Sequence, residues 1–411
     1  MSPQAGTLGG AERTPGASAL VDSRRAWRTV LAGFTSMFAV FGVAYSFGAF
    51  FGPMGDELGA GRGATSLVFS ITAFLWFSLG ALSGPAVDRF GPRPVLLTGA
   101  AVMGTGLLLT SRVDSIVVGY ATYGVGVGVG VACGYVPMVA VVGGWFVRRR
   151  STALGIAVAG IGLGTVVAAP IAARIIERHG WRTGYVVLAA ASTGLLVLAA
   201  ALAERPPAPV ASSASLSLGD AARTPAFASL YGSSVLLSLA LFQVFVYLPD
   251  FAEDQGASKV ASAGLVAVVA GASIVGRLVL GPVADRVGRI RTYRACFLAM
   301  GIAFGIWLVA PSYPWLVAFA LVMGAGYGGF VALNPAVVAE VFGVAGLGRL
   351  IGVLFTGAGL GALVGPPLAG LVIDAYGYRW AIGASMAVAL AAALALVPLG
   401  REGAGSPRAR R

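Results

Sequence analysis

The stretch GPAVDRFGPR at 84–93 returns as GPVADRVGRI at 281–290, an offset of 197 residues. The same offset holds far downstream without a gap. Gly155, Gly160, Gly162, Gly164 and Pro170 recur as Gly352, Gly357, Gly359, Gly361 and Pro367. Glu177, Gly180 and Arg182 recur as Asp374, Gly377 and Arg379. Glycine and proline specify backbone shape, so agreement at this many of them means one backbone plan used twice.

The residues around the repeated stretch say what kind of plan it is. Hydrophobic residues make up 57% of the 411-residue chain and charged residues 11%, whereas a soluble domain carries about 25% charged residues. Most of the chain cannot face water. A membrane helix needs about 20 mostly apolar residues. Runs of that kind fall at 28–51, 65–86, 94–111, 115–141, 151–173 and 183–202, then at 226–249, 260–283, 293–310, 315–339, 350–373 and 380–399. The expected fold class is therefore an all-α integral membrane protein: twelve transmembrane helices in two parallel six-helix repeats. Its domains are a cytoplasmic tail 1–27, a six-helix half 28–203, a cytoplasmic linker 204–225, a second half 226–400 and a cytoplasmic tail 401–411. Pro, Ala and Ser dominate the linker, which suits a flexible connection.

Charge sets the orientation. With both termini inside, tails and inner loops carry 20 of the 28 basic residues, and outer loops carry seven. That asymmetry satisfies the positive-inside rule and places the chain as a multi-pass protein of the plasma (inner) membrane. Arg24 and Arg25 faintly resemble a twin-arginine export signal, but the following apolar run outlasts the 7–15 residues of a signal core. The net charge of +12 invites a nucleic-acid reading, yet the basic residues lie in short clusters between apolar runs, with no exposed stripe. One histidine, His179, and two cysteines, Cys133 and Cys296, cannot assemble the usual zinc or haem ligand sets. No GxSxG-like elbow accompanies His179. No catalytic residue, metal or cofactor is expected, and the chain is not read as an enzyme.

The repeated loop fits a wider pattern. Gly84, Asp88, Arg89, Gly91 and Arg93 fill G-x-x-x-D-R-x-G-R/K, and Gly281, Asp285, Arg286, Gly288 and Arg291 give a looser copy. This loop resembles that of the major facilitator superfamily, whose two halves are parallel repeats about an axis along the membrane normal. The glycines permit a tight turn, the aspartate favours a helix N-terminus, and the arginines hold the loop inside, so these residues are expected to act in gating and structure. Arg149, in WFVRRRSTALG at 145–155, belongs with them. Within the superfamily, Tyr45-Ser46-Phe47-Gly48-Ala49-Phe50-Phe51, that 145–155 loop, VGPPLAG at 364–370 and Arg277 together resemble the monocarboxylate transporters and their bacterial relatives, which include the oxalate–formate antiporter. Where proton-coupled members often have an aspartate one turn before the eighth-helix arginine, this chain has Ser273. Tyr45 stands where animal members have a first-helix lysine. Thr356-Gly357-Ala358 stands where the oxalate–formate antiporter has an eleventh-helix lysine.

Arg277 lies six residues, about 9 Å, inside the eighth span. Its repeat mate is Gly80. A central arginine costs about 2.5–3.5 kcal/mol even on the lenient insertion scale, so it is expected to bind an anion from a water-filled cavity between the halves. The plainer alternative is an arginine snorkelling to the inner surface. Ser273, four residues earlier, shares its helix face. Tyr45, Tyr123, Tyr327 and Asn334 are polar groups on other spans, as is Gln243. Arg277, Ser273, Tyr45, Asn334, Tyr327 and Tyr123 form the candidate substrate site. The glycine rows 124–130 and 160–164 look like a dinucleotide fingerprint, but no strand precedes them; they suit close helix packing.

These features imply a symporter or antiporter that moves a small organic monocarboxylate by alternating access. The expected partners are that carboxylate anion, the lipid bilayer and a proton as candidate coupling ion, with no nucleic acid and a monomeric working unit. Two alternatives compete: an exporter of amphipathic compounds, which would want an intramembrane acid, and a non-transporting membrane sensor, which would want an appended signalling domain.

Overall fold

The computed structural model describes residues 23–146, 148–206, 218–342 and 347–399, and regular structure among them is helical throughout. α1 spans Arg24–Glu57 with a break at Ser46, followed by α2 (Arg62–Phe90), α3 (Pro92–Thr110) and α4 (Ile116–Trp145). The long helix Arg150–Leu202 is two legs, α5 (150–179) and α6 (181–202), because Gly180 sits at φ 80° and ψ 161°. A short turn, Leu218–Ala222, leads into α7 (Pro225–Asp254), α8 (Lys259–Val287) and α9 (Arg289–Leu308). α10 (Tyr313–Phe342), α11 (Leu347–Tyr376) and α12 (Tyr378–Ala395) complete the described helices.

Among the described residues ten helices are long and apolar enough to cross a membrane, counting Thr152–Leu202 as one; α9 is left out because its arginines lower the hydropathy of its first turns. Helices suit a chain in hydrocarbon, since each backbone group then finds its partner within the segment. The expected tails and much of the linker, residues 1–22, 207–217 and 400–411, lie outside the described residues.

The repeat is visible in the backbone. Among the described residues the positive-φ glycines fall into three pairs at the 197-residue offset: Gly59 with Gly256 (62° and 88°), Gly91 with Gly288 (89° and 108°), and Gly180 with Gly377 (80° and 85°). Packing repeats too. A methyl group on Gly160 or Gly164 would run into backbone of α1, and one on their mates Gly357 and Gly361 would strike Tyr231 and the Val235 carbonyl of α7. Gly162 and its mate Gly359 instead face the other half, against Ile274 of α8 and Phe77 of α2. The glycine rows therefore pack helices both within each half and across the two.

Several legs outrun the spans set by hydropathy. α1 continues to Glu57, beyond the expected end at residue 51, because its polar tip has partners: Trp181 Nε1 donates to Glu57 at 2.6 Å and Arg182 pairs with it at 2.8 Å. A π-helical turn, Tyr120–Val125, follows the first turn of α4.

At the end of the bundle away from the termini, the halves are clasped. Arg62 at the start of α2 pairs with Asp250 at 3.1 Å and Asp254 at 3.2 Å, both on α7, and with Asp374 of α11 at 3.5 Å. Tyr247 donates to the Arg62 and Pro366 carbonyls at 3.1 and 2.9 Å. A methyl on Gly48 would sit 2.6 Å from the Phe245 carbonyl oxygen, so α1 and α7 touch through backbone there. The ion pairs described at the opposite end, Arg25–Glu204 and Arg289–Asp285, each stay within one half or its linker.

Gly180 and Gly194 make a matched test. Gly180 has open space around it but occupies a region nearly closed to L-residues, so Gly180→Ala is expected to cost about 1–3 kcal/mol. Gly194 also has open space and lies within a regular helix, so Gly194→Ala should be neutral or stabilise by up to about 1 kcal/mol. Unfolding of both variants in detergent measures the contrast.

Candidate functional site

Between the halves lies a cavity of about 110 Å³. Its walls come from both repeats, and three pairs of lining residues are repeat mates: Phe41 with Ser238, Tyr45 with Phe242, and Ile161 with Ala358. The cavity therefore sits on the pseudo-two-fold axis, where a parallel-repeat carrier holds its substrate.

Arg277 reaches this cavity from α8. One guanidinium nitrogen donates to the Val158 carbonyl of α5 at 3.4 Å, and its buried Nε has no hydrogen-bond partner. Leaving a buried donor unmade forfeits its desolvation cost, which for a charged group exceeds the usual 1–3 kcal/mol. None of the described lining residues is acidic. The side chain is thus a cation whose hydrogen-bonding capacity is incompletely used. A guanidinium keeps its proton and offers a planar fork that matches a carboxylate.

Three of its expected companions share the cavity. Tyr45 of α1 and Tyr327 of α10 bring their hydroxyls to 3.0 Å of each other, joining the halves across it. Tyr45 also stacks on Phe245, with ring centroids 4.2 Å apart. Asn334 lines the wall beside Pro335, donating from Nδ2 to the Tyr293 hydroxyl at 3.0 Å, while its buried Oδ1 has no partner.

The other two lie elsewhere. Ser273 is buried with an unpartnered Oγ, and its backbone packs against Gly328 of α10. Tyr123 is buried inside the first half, its hydroxyl 3.4 Å from the Val43 carbonyl and its ring beside Phe47 and Tyr185. Gln243 donates to Ser385 within the second half. Thr356 hydrogen-bonds Tyr231 at 3.4 Å, while Ala358 reaches the cavity.

The structure adds Tyr135, Ser234 and Ser238 as polar lining groups and a set of rings led by Trp76, Phe77 and Phe242. Tyr135 lies close enough to Arg277 to interact with its charge, as does Tyr45. The four-residue spacings Phe41/Tyr45 and Ser234/Ser238 were a readable sign, since each pair shares a helix face.

The repeated stretches follow the cavity-lining residues Phe77 and Arg277 by a few positions and hold the ends of helices. Arg93 donates to the Ala203 carbonyl at 2.9 Å, and Arg205 donates to the Arg89 carbonyl at 2.8 Å. In the second copy, exposed Asp285 pairs with Arg289, the first residue of α9, at 3.6 Å, beside an exposed Arg286. Arg149 precedes α5, and its carbonyl accepts from Ala153 at 2.9 Å. Gly84 and Asp88 fall on α2, but the Asp88 side chain lies outside the described residues.

Comparison with known proteins agrees with this geometry. The profile of the Major Facilitator Superfamily matches residues 30–293 and 263–411. Monocarboxylate transporter 3 of Rattus norvegicus is 31% identical over 85% of this chain and 74% of its own length. MFS-type transporter 1 of Ophiocordyceps sp. is 30% identical over 86% of this chain and 80% of its own. Among solved structures, a bacterial homologue of the human lysosomal transporter Spinster matches with a TM-score of 0.72 at 14% identity, over 91% of this chain and 97% of that one. A nucleoside transporter matches with a TM-score of 0.74 at 15% identity, over 91% and 99%. With two parallel repeats, a central cavity on their axis and a family match along most of its length, this chain belongs to the major facilitator superfamily, as a transporter that resembles the monocarboxylate transporters.

Proposed function

We propose that the protein is a secondary carrier that moves a small organic monocarboxylate across the plasma membrane by alternating access. The observation that carries this reading is Arg277: a cation on the axis between the halves, with an unpartnered buried Nε and no acid among the described lining residues. One cation neutralises one carboxylate. A dicarboxylate would bring a second charge into a low-dielectric site without a partner, so a monoanion is the fitting substrate. The relatives named monocarboxylate transporters support the same chemistry.

In the proposed topology both termini and the 204–225 linker face the cytoplasm, and the halves are 28–203 and 226–400. The clasped end is then the outer end, and the cavity is closed toward the outside by Arg62, Tyr247 and the α1–α7 backbone contact. Arg277 couples binding to motion because its bond to the Val158 carbonyl joins the two halves. A bound carboxylate would compete for that guanidinium and release α5 from α8.

Asp250 is the group we assign to proton coupling. It faces Arg62 and accepts from the Tyr378 hydroxyl, with Asp254, Glu253 and Lys259 nearby on α7 and α8 and Asp374 on α11. Protonating Asp250 removes one of the carboxylates that hold Arg62, so acid outside loosens the outer clasp. A second reading, export of larger amphipathic acids, draws support from the mainly apolar walls and from a 30%-identical relative named Fujikurins efflux protein. The direction of flux in right-side-out and inverted vesicles separates the two.

Two outcomes are expected. Arg277→Ala should lower pyruvate uptake into proteoliposomes by about 100-fold or more, as removal of one partner of a buried pair does. Arg277→Lys should restore less than about a tenth of it, because a point charge replaces a fork; uptake by the alanine variant at the parent rate would remove the anion site. Arg62→Gln and Asp250→Asn should each shift the population toward an open outer end by about three- to tenfold, the worth of partly exposed ion pairs acting together. Spin-label distances between cysteines replacing exposed Arg112 and Gln255, on opposite halves of the clasped end, would lengthen accordingly.

A further inference from the structure

The rings of the cavity wall are arranged, not merely present. Phe41 meets Trp76 at 5.6 Å and 63°, and Trp76 meets Phe242 at 5.8 Å and 65°. Phe242 meets Phe77 at 5.8 Å and 76°, and Phe77 meets Phe355 at 5.5 Å and 67°. All five line the cavity. Each contact is edge-to-face within the 4.5–7 Å that aromatic pairs prefer. The chain starts on α1, passes through α2 and α7, and ends on α11, so it crosses between the halves three times. Such a wall extends naturally to a guest ring, which would find edges and faces already placed.

The repeat shows where this wall stands relative to the charge. Trp76 and Phe77 are the mates of Ser273 and Ile274, one helical turn before the level of Arg277 and its mate Gly80. α2 therefore supplies two rings where its mate α8 supplies a serine and an isoleucine, and the cation stands one turn away. The polar groups beside the rings are neutral and partly spent, with Asn334 Oδ1 still unpartnered. The Tyr45 and Tyr327 hydroxyls hold each other, and Asn334 Nδ2 holds Tyr293. With no acid among the described lining residues, an ammonium group would enter unpaired.

Resting on the carboxylate reading of Arg277, we propose that the cavity selects an aromatic monocarboxylate: a planar ring joined by a short arm to one carboxylate, without an ammonium group. The ring lies against Trp76, Phe77, Phe242 and Phe355 while the carboxylate meets Arg277. Short aliphatic acids of the same charge meet the cation but leave the rings uncovered.

Pyruvate and phenylpyruvate share a carboxylate and its neighbouring carbonyl and differ by the ring, so their affinity ratio isolates the wall. Competition against labelled phenylpyruvate on the full-length chain in nanodiscs supplies that ratio, with 3-cyclohexylpyruvate and phenylalanine as further competitors. Phenylpyruvate is expected to bind about tenfold or more tighter than pyruvate, from burial of the ring. It should exceed the cyclohexyl analogue by about two- to tenfold, from ring–ring geometry, and phenylalanine should bind weakest of the three ring-bearing acids.

Arg277→Gln should weaken pyruvate and phenylpyruvate together. Phe77→Leu and Phe355→Leu, which nearly conserve volume, should lower the phenylpyruvate-to-pyruvate ratio severalfold, with melting temperatures reporting the fold. If either variant fails to fold, the ligand series on the unsubstituted chain decides. Pyruvate binding as tightly as phenylpyruvate, with both still dependent on Arg277, overturns the ring selection and leaves the carboxylate site standing. Phenylpyruvate binding that survives Arg277→Gln overturns both.

Discussion

A permanent positive charge placed deep in a membrane bundle must be hydrated, paired or bound to something that comes and goes. Arg277 is held by one long bond to a backbone carbonyl, and its Nε is buried without a partner. Hydrocarbon could not surround such a group at an acceptable cost. The chain tolerates it because two halves meet there without filling the space between them. Cavity, axis and charge are thus one arrangement: the halves create the room, and the arginine gives the room its chemistry.

Symmetry places the cavity and asymmetry defines what it recognises. Repeat mates such as Phe41 and Ser238, or Tyr45 and Phe242, face the same space from opposite sides. Close packing obeys the repeat as well, with Gly160 and Gly357 each seating α5 or α11 against the first helix of its own half. Binding chemistry does not. Arg277 answers Gly80, and Trp76 answers Ser273. A strictly two-fold site would offer the same groups to both ends of a guest, so these departures give the proposed substrate, charged at one end and apolar at the other, a single orientation.

The clasp at Arg62 belongs to the same economy of parts. One guanidinium gathers carboxylates from α7 and α11, so a single side chain ties the start of α2 to the second half. Its ion pairs are partly exposed and individually weak, which suits the opening that the proposed alternating access requires of it. The relatives include monocarboxylate transporters, MFS-type transporters and a protein named for efflux at similar identity, and the structural neighbours at 14–15% identity carry the fold alone. Substrate is accordingly a matter for the site's own groups.

Local and periodic features carried much of this in the sequence. The 197-residue offset, the apolar runs and the signature loop are properties of the chain read in order, and they specified helices, repeat and superfamily. Arg277 was legible too, because a charge in an apolar run is anomalous without any coordinates. Ser273 and Tyr123 show the limit of that reading. A shared helix face brought Ser273 near Arg277 on paper, yet its backbone packs against Gly328, and Tyr123 turns into its own half toward Val43. Which polar groups converge depends on how helices from two halves rotate against each other, and each helix buries polar and apolar faces alike. The meeting of Tyr45 with Tyr327, of Phe77 with Phe355 and of Arg62 with its three carboxylates joins residues 188 to 312 positions apart. The sequence by itself determined the helical elements, their repetition and the charge at Arg277 inside an apolar run, since these follow from hydropathy and spacing. Only the tertiary structure decided which rings and hydroxyls stand around that charge, because that follows from packing between distant segments.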